Sequence, residues 1–213
     1  MGLMETQAAR TDQIRPVIGG IKVNSDGEAA TLGFVATDSS GNRGVVTTGH
    51  IGAVGSGLYQ PDGSGSSPFL GIMDSIGNTY SDSSWTPFTS GITSDPKVYE
   101  SASTYTTFKY WDDNPSGLTL YKSGVITGVT TGSTVDQSSI WDPHFSKFLQ
   151  NQWYATYSSS GGDSGSPVYE KYSSGATVLV GIHLGVETSN GYAIFSPVQG
   201  IRRDLNWITP LTG

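Results

Sequence analysis

The chain has 213 residues, of which 14% are charged and 29 are glycine, and it carries a formal net charge of −7. That balance, without a basic stripe, argues against nucleic-acid binding and against helices with charged solvated faces. There is no cysteine, which excludes disulfides and thiolate metal sites, and no apolar run reaches the ~18 residues of a membrane span.

Residues 1–15 are mostly polar and are expected to form a loose tail, with no apolar core of the signal-peptide kind. The run from Val17 to Val23 opens a first strand, Ala29 to Thr37 a second and Gly44 to Thr48 a third, which ends in Gly49-His50. Ser39-Ser40-Gly41-Asn42 separates the last two as a turn. Further strands are expected at 69–73, 84–88, 104–110, 119–122, 125–130, 152–156, 178–184 and 192–195. Many short strands with polar turns between them indicate an all-β sandwich or barrel. Only 198–207 (VQGIRRDLNW) has helical spacing, with Ile201 and Leu205 on one face. The Ser/Thr/Pro-rich stretch around 87–96 divides a polar tail (1–15) and an N-terminal unit (16–95) from a C-terminal unit (96–213).

The most informative stretch is Ser159-Ser160-Gly161-Gly162-Asp163-Ser164-Gly165-Ser166-Pro167. Acyl transfer needs an exposed hydroxyl beside backbone N–H groups that receive a developing oxyanion, and glycines let the chain make that turn. The plain alternative is a glycine-rich surface turn. A serine nucleophile also needs a base and a group that orients the base. His50, at the end of a β-branched strand, is the candidate base. An order of Ser, acid, His, as in the α/β-hydrolases, fails: position 166 is Ser rather than Gly, and only Glu170 lies between Ser164 and His183. The order His, Asp, Ser remains, with Asp82 as the acid; Asp74 is its nearest rival, and Asp62 sits in a turn that looks solvated.

Thr47-Thr48-Gly49-His50, the segment Asp82 to Pro87, and Gly162-Asp163-Ser164-Gly165-Ser166-Pro167 occur in this order across most of the chain. Together they resemble the cysteine-poor bacterial serine proteases of the chymotrypsin fold, including the streptogrisins and glutamyl endopeptidases. The resemblance implies an all-β fold of two six-stranded antiparallel β-barrels with a short C-terminal helix. It implies Ser164 as nucleophile, His50 as general base then acid, Asp82 as its orienting carboxylate, and the N–H groups of Gly162 and Ser164 as oxyanion hole. It further implies secretion and a peptide or protein substrate; a monomer without cofactor or metal is expected.

Asp163 needs a partner in such a fold. Val17-Ile18-Gly19-Gly20 is similar to the N-terminus that trypsin-like zymogens free by cleavage, but it follows Arg15-Pro16, a poor junction. Bacterial relatives use an internal arginine, in a segment similar to Tyr121-Lys122-Ser123-Gly124; here a Lys122–Asp163 pair is expected instead. Gly181-Ile182-His183 resembles the glutamyl endopeptidase segment whose histidine lines the acidic-residue pocket, and Ser159 stands where those enzymes use a hydroxyl. His183 and Ser159 are therefore candidates for binding Glu or Gln before the scissile bond. Val186, where the pocket wall is usually glycine, departs from that pattern. His144, after the turn signal Asp142-Pro143, is assigned no role, and no pair of histidines has metal-ligand spacing. A catalytically idle binding protein and a self-processing domain of a longer precursor are the alternatives to a free endopeptidase.

Overall fold

The computed structural model describes residues 8–63 and 68–213. Among these, nineteen strands and one helix follow in order: β1 (Val17–Gly19), β2 (Lys22–Ser25), β3 (Glu28–Thr31), β4 (Phe34–Thr37), β5 (Arg43–Thr47), β6 (Gly57–Tyr59), β7 (Phe69–Ile72), β8 (Ser75–Gly77), β9 (Ser83–Pro87), β10 (Ser94–Ser101) and β11 (Thr104–Trp111). The second half adds β12 (Leu120–Gly124), β13 (Gly128–Gly132), β14 (Thr134–Asp142), β15 (Lys147–Ala155), β16 (Pro167–Lys171), β17 (Thr177–Val186), β18 (Ala193–Pro197), α1 (Val198–Asp204) and β19 (Thr209–Pro210).

The chain is all-β with one short helix near its C-terminus, and its two halves are barrel-like rather than closed. The strands form three sheets: β3-β2-β6-β7, β19-β4-β5-β9-β8, and a ten-stranded sheet that carries β1, β10 and β11 together with β12 to β18. The pairing is not antiparallel throughout. The β10–β11 hairpin straps the halves together, β10 running parallel to β1 and β11 parallel to β17, so a single sheet spans both. Three apolar clusters match this layout. One, with Val23, Leu58 and Leu70, fills the first half. Another, with Leu120, Val168 and Phe195, fills the second. The third joins them, packing Phe34, Val46 and Trp85 against Phe108, Ile182 and Leu205.

Several elements differ from the sequence expectations for identifiable reasons. Residues 8–15 are not loose: Ile14 is in the core, and Arg10 donates to Gly20 O (2.7 Å), Ser123 Oγ (2.8 Å) and Glu100 O (2.9 Å). Residues 1–7 of the expected tail lie outside the described residues. The expected strand 29–37 breaks into β3 and β4 at Leu32-Gly33, and 125–127 is a turn rather than the start of a strand, because the N–H of Val125 goes to the Thr31 hydroxyl and those of Ile126 and Thr127 go to Asp163. β14 escapes the apolar pattern because this long hairpin strand exposes most of its residues. The helix ends at Asp204, short of the expected 207, where Asn206 and Trp207 take left-handed conformations (φ 55° and 60°).

Candidate active site

The end of β5 and the start of β9 meet around one carboxylate. Asp82 is fully buried, and its Oδ1 accepts the N–H groups of Gly49 (2.7 Å) and His50 (3.0 Å). Its Oδ2 accepts the Thr48 hydroxyl (2.6 Å) and faces His50 Nδ1 in a short hydrogen bond. Four donors therefore replace the water this carboxylate lost on burial. Burial opposes its ionisation, but the bonds from His50, Thr48 and Gly49 outweigh that and hold Asp82 below the ordinary carboxylate range. For His50, burial opposes the imidazolium, yet the bond to Asp82 and its charge, with Asp142 and Glu28 adding, raise it above the ordinary histidine value.

Residues outside the sequence-derived set hold this pair. Asp204 Oδ2, at the end of α1, accepts the N–H groups of Thr79 (3.0 Å), Tyr80 (2.8 Å) and Ser81 (3.0 Å), which fixes the segment leading into Asp82. From β18, Ser196 Oγ accepts the Asp82 N–H (3.2 Å) and donates to Gln152 Oε1 (2.7 Å). Gln152 Nε2 in turn donates to Tyr80 O (2.8 Å). The second half thus grips the Asp82 segment of the first.

Ser164 lies in the tight turn before β16. Asp163 O accepts the N–H of Ser166 (2.9 Å) and its hydroxyl, which turns the Ser164 N–H the other way. Thr31, at the end of β3, secures the loop from the opposite half: its N–H donates to Ser164 O (2.9 Å) and its hydroxyl to Gly162 O (3.0 Å). Gly162 has φ 97°, and a Cβ there would sit 2.9 Å from Ile126 Cγ1, so the turn requires glycine. The N–H groups of Gly162 and Ser164 donate to no acceptor among the described residues.

Asp163 itself points inward. Its Oδ2 lies 2.8 Å from Lys122 Nζ, with both side chains fully buried, and accepts the Thr127 hydroxyl (2.6 Å) and the Ser160 N–H (3.1 Å). Its Oδ1 accepts the Ile126 N–H (2.9 Å). Burial opposes both charges; in Asp163 the bonds from Lys122 and Thr127 outweigh it and lower the carboxyl, whereas burial wins at Lys122 and lowers the ammonium. A Cβ at Gly124 would lie 2.2 Å from Asp163 Oδ1, which explains the glycine after Lys122-Ser123.

His50 and Ser164 line one cavity of about 430 Å³ together with Gly162, Glu28 and His144. The Ser164 hydroxyl donates to Leu184 O (3.2 Å) rather than to His50; such bonds commonly tighten only when substrate is bound. His183 is buried, with its ring nitrogen Nδ1 3.1 Å from the Tyr157 hydroxyl. Burial, with the charge of Lys122 adding, pushes it down to about 3, so it is neutral over the physiological range. Ser159 Oγ is buried with no hydrogen-bond partner among the described residues, and no hydrogen bond joins Ser159 to His183. Val186 is half exposed and lines a second cavity of about 190 Å³ with Leu184, Ile140, Trp141, His50 and His144.

No protein-family model matches the chain, and no curated protein sequence matches it. Solved structures do. Thermobifida fusca protease A superposes with a TM-score of 0.75 at 22% identity, covering 92% of this chain and 99% of that one. The protease of Nocardiopsis gives the same TM-score, identity and coverage. A glutamic acid-specific serine protease, described as using a histidine triad in substrate binding, gives 0.75 at 23%, covering 92% of this chain and all of that one. The fold is the bacterial chymotrypsin fold. In the chymotrypsin fold of this chain the seam between the halves carries His50 and Asp82 on one side and Ser164 on the other. Thr31, Gln152, Ser196 and Asp204 had no sequence signal, because each acts from a distant strand or helix. His144 had one, the Asp-Pro turn, but not its place beside His50.

Proposed function

We propose that the protein is a serine endopeptidase that cleaves peptide bonds through an acyl-enzyme. The observation that carries the reading is the His50–Asp82 pair facing the same cavity as Ser164, whose loop leaves the Gly162 and Ser164 N–H groups without an acceptor among the described residues. In this mechanism Ser164 Oγ attacks the substrate carbonyl while its proton passes to His50 Nε2, and Asp82 stabilises the imidazolium. The two N–H groups receive the oxyanion, and His50 returns the proton to the leaving amine as the tetrahedral adduct collapses. Water repeats the sequence on the ester, freeing Ser164. The unit 16–95 supplies base and orienting acid, and the unit 96–213 supplies nucleophile and oxyanion hole. No group of three or more His, Asp or Glu side chains among the described residues is arranged to hold a metal, and none of these steps requires one.

Preference for Glu or Gln before the scissile bond is the finer part of the proposal. It is supported by the unpartnered Ser159 hydroxyl and by His183, and by similarity to the glutamic acid-specific enzyme. The chain has only three histidines, and two of them stand at the reaction centre, so His183 works with Tyr157 rather than within a histidine triad. A neutral His183 recognises by hydrogen bonding rather than by charge, so Gln is expected to be accepted alongside Glu. A peptide library varied at that residue tests both levels. Cleavage after Glu and Gln supports the full proposal, cleavage after large apolar residues removes the specificity, and no cleavage by folded protein removes the protease.

A further inference from the structure

The β14–β15 hairpin projects from the second half and returns over the active site. At its tip the His144 ring stacks on His50, with centroids 4.4 Å apart and planes within 13°. The turn that puts it there is made by Asp142. Its Oδ1 accepts the His144 N–H (2.8 Å) and, at 3.4 Å, the Phe145 N–H, whereas its Oδ2 is buried with no hydrogen-bond partner among the described residues. Asp142 is 3% exposed, and after Asp82 it is the next carboxylate that His50 feels. Neither residue belongs to the machinery assigned above.

We propose that Asp142 and His144 are positioning residues for His50: Asp142 pins the turn that stacks His144 on the general base, and ring and carboxylate together stabilise the imidazolium formed during acyl transfer. This rests on the serine-protease reading of the same site. The stacked ring presents a π face to the cation that forms at His50, as aromatic rings do to ammonium and guanidinium groups. The charged and titratable groups around His50 are Asp82 beside β9, Glu28 on β3, Asp142 and His144 on the hairpin, and His183 on β17. Of these only Asp142 combines a buried, unpartnered oxygen with control of the stacked ring.

The test uses two readouts, one of which needs no turnover. With three histidines in the chain, the imidazole C–H signals in NMR can be assigned and followed against pH in the intact Ser164→Ala protein. Asp142→Asn removes a charge that favours the imidazolium, so the His50 midpoint is expected to fall by about half a pH unit. In the active enzyme the acidic limb of kcat/KM is expected to move to lower pH by the same amount. His144→Ala is expected to cut plateau kcat about 5-fold or more, and His144→Phe, which keeps a π face over His50, to restore most of it. Unchanged His50 midpoints and unchanged pH profiles in folded variants would overturn the proposal while leaving the protease intact. A wild-type protein without turnover removes the protease reading, and the NMR midpoints then still decide whether the hairpin controls His50.

Discussion

Lys122 Nζ sits 2.8 Å from Asp163 Oδ2, and neither side chain touches solvent. The pair ties β12 to the Ser164 loop, and Val17 to Gly19 form a strand that pairs with β10. With Thr127 and the Ile126 N–H completing the carboxylate's bonds, the loop is built without a cut in the chain.

Removing one partner strands the other charge in the interior. Lys122→Met is therefore expected to cost about 3–5 kcal/mol of unfolding free energy. Lys122→Met with Asp163→Asn should recover part of that loss, because the uncompensated carboxylate is gone. Urea unfolding of the two single variants and the double variant measures the coupling, and strictly additive losses would mean that the pair carries none.

Acid should weaken the fold in two successive stages that overlap below about pH 4. Burial drives His183 down to about 3 from an ordinary 6.5, so the unfolded chain takes up that proton first. Stability tied to His183 is complete above the unfolded value and is lost as pH falls from about 6.5 to about 3, at up to about 1.4 kcal/mol per pH unit for one proton. Asp82 and Asp163, both held low, lose theirs only as pH falls below the ordinary carboxylate value of 3.8 and through their folded values. His183→Gln, which keeps a polar partner for Tyr157, should flatten the upper stage and leave the lower one. Chemical unfolding at pH 7, 5.5 and 4 checks this, and an unaltered slope between pH 6.5 and 4 would count against it.

Asp204 should influence catalysis from the far end of the helix. Asp204→Ala leaves the N–H groups of Thr79, Tyr80 and Ser81 without their acceptor, at an expected cost of about 1–3 kcal/mol. Because this segment leads into Asp82, kcat should fall several-fold with little change in KM. Steady-state kinetics on a peptide substrate separates the two constants, and a change in KM alone would contradict the role.

Much of the site was legible because its chemistry demands particular residues in particular places. Thr48-Gly49-His50 ends a strand, Gly162-Asp163-Ser164-Gly165 forces a turn, and Lys122 was the basic residue in the right segment for Asp163. What lay beyond reach depends on tertiary closure. Thr31 and Asp204 look like ordinary strand-end and helix-end residues until the two halves come together. β14 has too few buried positions to reveal its period, so the hairpin that carries His144 to His50 was not foreseen. The two barrels were expected to be antiparallel, but a linking hairpin that pairs in parallel with both halves leaves no local pattern to read.

Gly162→Ala isolates the oxyanion loop from the rest of the molecule. The φ of 97° and the close approach of Ile126 mean that alanine must move this peptide. Turnover should drop about 10²-fold, in the range seen when one oxyanion donor is lost, while the protein stays folded. Comparing kcat with the thermal unfolding midpoint of the same sample separates the two effects, and near-normal turnover would exclude Gly162 from the hole.

On the proposed function Ser164 is an activated nucleophile served by His50. Intact-mass analysis after treatment with a fluorophosphonate reads this out on the wild-type chain, Ser164→Ala and His50→Ala. One adduct on the wild type, absent from Ser164→Ala and strongly slowed in His50→Ala, is the expected result. A folded wild-type chain that gains no adduct, or one that labels equally well without His50, would contradict it.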